Sequence, residues 1–117
     1  MMMSVSPAHL DDWLAQASTD PAAGRLPVVL DVREPWEFQT ASVRPEGFEL
    51  VQMPMRSVPA RFHELDRSQP IACLCHHGAR SAQVVHFLMQ NGFSAVVNIQ
   101  GGINAWSHLR DPAVPLY

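Results

Sequence analysis

Ile71-Ala72-Cys73-Leu74-Cys75-His76-His77-Gly78-Ala79-Arg80-Ser81 is the stretch on which the fold turns. Its first half is a short apolar run that reads as a buried strand, Ile71 to Cys75. A polar turn containing Gly78 follows, and then the helical pattern Gln83-Val84-Val85-His86-Phe87-Leu88-Met89. The expected helix runs from Ala79 or Arg80 to Gln90 and stops at Asn91-Gly92. A strand that turns directly into a helix places backbone N–H groups and the positive end of the helix dipole around the turn, which suits an anion. A thiol held there is expected to ionise more readily than a free one. Cys75 is therefore the candidate nucleophile, whereas Cys73, in mid-strand, reads as a small buried hydrophobe.

On either side, the same alternation recurs. Pro27-Val28-Val29-Leu30-Asp31-Val32 is a nearly continuous apolar run, as expected of a parallel strand covered on both faces. Phe48 to Met53 and Ala95-Val96-Val97-Asn98-Ile99 read as two more strands. Helices are expected after Ser6-Pro7, where Ser6 is placed to cap, at Pro35-Trp36-Glu37-Phe38, over Val58 to Leu65, and after Gly101-Gly102. The break from Thr19 to Gly24 separates the first helix from the first of these strands, and Pro112 to Tyr117 reads as irregular. Alternating strands and helices predict an α/β fold with a mainly parallel sheet. Sites in such sheets lie beyond the carboxyl ends of the strands, so Asp31 to Glu34, Cys75 to Arg80 and Gln100-Gly101-Gly102 should share one edge.

The 117 residues suit one domain, 1–117, that buries roughly two-thirds of its unfolded surface. Hydrophobic residues make up 47% and charged residues 16%, a balance that excludes intrinsic disorder. Net charge is −3, and all eight basic residues are arginines scattered along the chain. That pattern offers no basic face for nucleic acid and no polybasic run for a membrane. No apolar run is long enough to span a bilayer, and the first residues lack signal-peptide character. Two cysteines two positions apart do not make a disulfide scaffold, so a reducing, cytoplasmic setting is expected. Cys-x-Cys-His-His lacks a second ligand pair, so no metal is expected.

Within the turn, Gly78 is expected to let the backbone curl amides around the sulfur. Arg80 sits at a helix start, where its charge opposes the dipole, and an anion nearby would account for it. Ser81 can cap the helix or bond the sulfur. His76 and His77 line the loop, since an ionised thiolate needs no base.

These residues carry a resemblance. Cys75-x-x-Gly78-x-Arg80-Ser81 resembles the active-site loop of the rhodanese family of sulfurtransferases. Asp31-Val32-Arg33-Glu34-Pro35-x-Glu37-Phe38 looks like that family's first signature, and Gly101-Gly102-Ile103-Asn104-Ala105-Trp106 like its C-terminal one. The three occur in the right order across residues 28–106, and the likeness is to a single-domain rhodanese. The resemblance implies the rhodanese fold, a five-stranded, mainly parallel sheet flanked by helices on both sides. It implies sulfane sulfur moving from thiosulfate or a related small-molecule donor, through a Cys75 persulfide, to cyanide, a thiol or a protein acceptor. It implies no cofactor. His76, His77, Gly78, Ala79, Arg80 and Ser81 would bind substrate, with Asp31 and Arg33 supporting them from behind and Arg33 paired to Glu37 across a helical turn. Trp36 and Trp106 would pack.

One segment departs from the pattern. Family members usually carry Gly-His-Ile-Pro-Gly-Ala after the first signature, and this chain has Ala41-Ser42-Val43-Arg44-Pro45-Glu46-Gly47-Phe48. Two other readings stay open. A non-catalytic rhodanese-type interaction module would have no need of Cys75, Gly78 and Arg80. A cysteine-based phosphatase or arsenate reductase places five residues between Cys and Arg, and here there are four.

Overall fold

The computed structural model describes residues 4–17 and 26–117. The expected break from Thr19 to Gly24 and the first three residues lie outside the described residues. Strand β1 spans Ser4–Val5, β2 Val28–Asp31, β3 Glu49–Gln52, β4 Ile71–Leu74 and β5 Val96–Ile99. The sheet order is β1-β5-β4-β2-β3, and every neighbouring pair is parallel. The strand that leads into the reactive turn is thus the central one. Helices are α1 (Leu10–Ala17), α2 (Pro35–Thr40), α3 (Val58–Arg61), α4 (Ala79–Gln90) and α5 (Gly102–Leu109).

Side chains alternate across a strand, so a strand covered on both faces must supply two cores. Val29, Ala72, Leu74, Val97 and Ile99 pack with Leu10 and Leu14 of α1 and Ile103 and Trp106 of α5. Val28, Leu30, Ile71, Cys73 and Val96 pack on the other side with Val58 of α3 and Val84, Val85 and Leu88 of α4. This division explains why the strands read as unbroken apolar runs and the helices as amphipathic ones.

The helix starts follow the local signals. Ser6 Oγ accepts from Ala8 N at 3.1 Å at the head of a 3-10 turn, Pro7–His9, that leads into α1. Val58–Leu65 is less regular than expected: 3-10 turns at Met55–Ser57 and Phe62–Glu64 flank a single α turn. β1 is an addition to the strands read from the residues. It is a two-residue edge strand on β5, extended by Gln100 N donating to Val5 O at 2.8 Å.

The atypical segment after α2 crosses back through the first core. Ala41, Val43 and Phe48 are buried there, and Phe48 meets Trp106 edge-to-face at 5.9 Å. Arg44 reaches Asp111 at 2.8 Å on the surface.

Candidate functional site

Because the sheet is parallel, the turns after β2, β4 and β5 meet at one edge, as the sequence predicted. Val32 N donates to Leu74 O at 2.9 Å, and Ile103 N and Asn104 N donate to the carbonyls of Cys75 and His76 at 2.8 and 3.1 Å. The first turn of α5 thereby clamps the backbone of the cysteine turn. Contact is so close that Gly102 (φ 61°) has no room for a side chain: a Cβ there would lie 2.5 Å from Cys75 O and His76 O. The second glycine of Gly101-Gly102 exists for that approach.

Cys75 stands at the centre. Gly78, with φ 109°, turns its own N–H onto Cys75 Sγ at 3.0 Å. The Ser81 hydroxyl lies 3.2 Å from the same sulfur. Of the amides expected around the sulfur, the hydrogen bonds bring one, that of Gly78, together with the Ser81 hydroxyl. A nucleophile has to be reached by its substrate, yet Cys75 is 1% exposed, packed at the end of the second core. Cys73 is buried on the same face, and burial pushes its thiol well above the ordinary range.

Ser81 answers to a residue that the sequence reading passed over. Asn98 of β5 points to the α4 side of the sheet, where its Oδ1 accepts from Ser81 Oγ and its Nδ2 donates to Gly78 O at 3.1 Å. This fixes the amide's orientation, because the reverse would set two oxygens against each other. Ser81 Oγ has one proton and three acceptors in range: Asn98 Oδ1, Cys75 Sγ and, at 3.3 Å, Gly78 O. With a thiol, the S–H can donate to Oγ while Oγ serves Asn98; with a thiolate, the hydroxyl can rotate to the sulfur. The signal for Asn98 was an amide in the middle of a buried apolar run.

Arg80 does have an anion beside it, and it is internal. Nη1 and Nη2 donate to Glu37 Oε2 and Oε1 at 2.8 and 2.9 Å. The Arg80 side chain is 33% exposed while that of Glu37 is 3%. Glu34 N adds a third donor to Glu37 at 2.8 Å and Tyr117 Oη a fourth at 2.9 Å. The Arg80 hydrogen bonds, set against burial, hold the Glu37 carboxyl down at about 2.

The expected Arg33–Glu37 side-chain pair is absent because Asp31 captures Arg33 first. Arg33, fully buried, donates from Nε and Nη2 to the two Asp31 oxygens at 2.9 and 2.7 Å. Its remaining N–H groups go to Glu37 O, Tyr117 Oη and Ala41 O at 3.2, 2.9 and 2.8 Å. All five guanidinium donors are used, which is what a buried cation requires.

Tyr117, from the tail read as irregular, thus lies between Arg33 and Glu37. Its ring also stacks on His76, centroids 4.0 Å apart and 6° from parallel, and His76 stacks on His77 at 4.0 Å. Burial, with His77 next to it, lowers the His76 pKa, so the ring is neutral at physiological pH. His77 and Ala79 are exposed at the mouth of the turn. Of the two signature tryptophans, Trp106 packs as expected, but Trp36 is 60% exposed and touches Tyr117 edge-on at 6.0 Å.

Comparison with known proteins agrees with this architecture. The chain is 33% identical over 87 residues to a sulfurtransferase from Allochromatium vinosum, covering 74% of this chain and 78% of that protein. It is 28% identical over 104 residues to the thiosulfate sulfurtransferase GlpE of Vibrio cholerae, covering 89% and 92%. Several other curated relatives are longer, and the chain spans about a third of their length or less. Among solved structures, a rhodanese-related protein from Thermoplasma volcanium matches with a TM-score of 0.75, 31% identity and coverage of 98% and 99%. Residues 10–109 match the rhodanese-like domain family, to which this chain belongs.

Proposed function

We propose that residues 1–117 act as one rhodanese-like domain and a sulfurtransferase that carries sulfane sulfur on Cys75. The observation that carries this reading is the sulfur at the head of α4, with the Gly78 N–H at 3.0 Å and the Ser81 hydroxyl at 3.2 Å. One amide and one hydroxyl aimed at a sulfur at the head of a helix are the donors that an anionic sulfur species would use there. The sulfurtransferase names of relatives at modest identity support the same chemistry.

In the first step the Cys75 thiolate attacks the outer sulfur of thiosulfate. A new S–S bond forms, the S–S bond of thiosulfate breaks, and its electron pair leaves with sulfite. In the second step cyanide or a thiolate attacks the outer sulfur of the persulfide. The product is thiocyanate or a new persulfide, and Cys75 returns as thiolate. Arg80, two of whose N–H groups are committed to Glu37, offers its remaining donors to the sulfonate end of the donor. A sulfur that is 1% exposed is reached only when the surrounding loop side chains part, so donor entry includes a conformational step. The persulfide belongs in a reducing, cytoplasmic setting, with small thiols or a protein as acceptor.

The test is intact-mass analysis after exposure to thiosulfate, followed by dithiothreitol. Wild type is expected to gain one sulfur atom and lose it on reduction, and Cys73→Ala to do the same. Cys75→Ser is expected to gain nothing. Absence of loading in wild type, or Cys75-dependent hydrolysis of an aryl phosphate in its place, overturns the reading.

A further inference from the structure

Tyr117 enters the site from outside all three sequence signatures. Its hydroxyl takes a hydrogen bond from Arg33 Nη1 at 2.9 Å and gives one to Glu37 Oε1 at 2.9 Å. Glu37 then has four donors on its two oxygens: two from Arg80, one from Glu34 N and one from Tyr117. A carboxylate with all its acceptor sites filled cannot swing without breaking a bond. The Tyr117 ring, meanwhile, lies flat on His76, the residue next to Cys75. One side chain therefore joins the fixed Arg33–Asp31 pair, the Glu37–Arg80 pair and the cysteine turn.

We propose that Tyr117 is a positioning residue: through Glu37 it holds Arg80 so that the guanidinium's free edge faces the anionic end of the sulfur donor. It rests on the sulfurtransferase reading above. Arg80 and Ser81 are consecutive in the first turn of α4, and Ser81 Oγ lies 3.2 Å from Cys75 Sγ, so the guanidinium springs from the same helical turn that contacts the sulfur. The phenol stays protonated throughout the working range, because burial, with the Glu37 bond adding to it, pushes it up to about 12. It therefore acts as a fixed donor to Glu37.

The experiment uses the full chain, wild type and Tyr117→Phe, which keeps the ring on His76 and removes the hydroxyl. Phenylglyoxal labels arginines when their ion pairs open, and the rate at Arg80 is read by peptide mass spectrometry. Loss of one hydrogen bond to a buried carboxylate is expected to speed labelling of Arg80 about two- to tenfold. The thiosulfate KM should rise by a similar factor with kcat nearly unchanged, while the thermal midpoint falls, because Arg33 Nη1 loses its acceptor as well. Tyr117→Phe in a Glu37→Gln background should add little further, because its effect passes through Glu37. Unchanged Arg80 labelling overturns the proposal, as does faster labelling with an unchanged KM, or full additivity with Glu37→Gln. Failure of wild type to load sulfur strikes the functional reading instead; the Arg80 labelling then still decides whether Tyr117 holds that arginine.

Discussion

Arg80 and Glu37, 43 positions apart in the chain, face each other through two parallel hydrogen bonds of 2.8 and 2.9 Å. One comes from the first turn of α4 and the other from α2, so the pair ties the turn after β4 to the turn after β2. It also resolves the electrostatic problem of an arginine at a helix N-terminus, since the nearby carboxylate neutralises a charge that the dipole opposes.

That pair makes acid stability informative. Glu37 titrates at about 2 rather than an ordinary 4.5, so the folded state holds the charged form more tightly than the unfolded chain does. The resulting stability is fully present above pH 4.5 and is lost as pH falls toward 2. Chemical denaturation of wild type should show a loss of roughly 2 kcal/mol across that window, allowing for the partly exposed Arg80. Glu37→Gln should be less stable at neutral pH and show a much flatter profile below pH 4.5. A profile identical to that of wild type removes Glu37 as the titrating group.

The serine between Cys75 and Asn98 permits a sharper dissection. Ser81→Ala removes one of the two donors on Sγ, and Asn98→Ala removes the acceptor that holds the hydroxyl and the donor that holds Gly78 O. Ser81→Ala should slow sulfur loading about tenfold, as expected for about 1.5 kcal/mol of hydrogen bonding to a developing charge. Asn98→Ala should cost about 1–3 kcal/mol of stability as well, for the loss of its two hydrogen bonds, although Gly78 O keeps Ala82 N. Stopped-flow measurement of sulfite release checks the first, and denaturant titration the second. Equal loading rates in wild type and Ser81→Ala would mean that the hydroxyl serves Asn98 alone.

What the sequence made legible followed from local physics. Gly78 and the turn before α4 announce themselves because an apolar strand and an amphipathic helix cannot be joined so abruptly without a glycine. The edge shared by three strand ends follows from parallel pairing alone. Partners distant in the chain were not legible. A near choice can mislead as well: Arg33 stands four residues before Glu37, a helical spacing that suggests a pair, yet Asp31, two residues away at the strand end, takes its fork. Tyr117 is 80 positions from Glu37, and nothing in the tail marks it. β1 is two residues long, too short for any periodicity to register, and gains its place only by pairing with β5.

The fit between α5 and the cysteine turn predicts a severe effect from a small change. Gly102→Ala would place a methyl group 2.5 Å from the carbonyl oxygens of Cys75 and His76, at a φ of 61° that alanine disfavours. The backbone must shift, and the hydrogen bonds from Ile103 N and Asn104 N to those carbonyls shift with it. The expected cost is about 2–4 kcal/mol of stability together with loss of sulfur loading. Gly47→Ala is the control. It too has a positive φ, but its nearest neighbour lies at 3.9 Å and it is remote from Cys75, so it should lose stability while retaining loading. Similar loading in both variants would mean that the α5 clamp does not hold the turn.

The two cysteines should separate cleanly by reactivity. Cys73 is buried in mid-strand, with its thiol pushed up by burial and by the neighbouring Cys75. It should resist iodoacetamide for as long as the protein stays folded. Cys75, 1% exposed but at a loop whose side chains can part, should react slowly and alone. Its rate is then set by opening of the loop, so Tyr117→Leu, which removes the ring stacked on His76, should accelerate it. Mass spectrometry of the native protein should show one alkyl group, located on Cys75, and denaturation should reveal the second. Simultaneous labelling of both thiols would mean that alkylation follows global unfolding, and the local opening required for sulfur transfer would have no support.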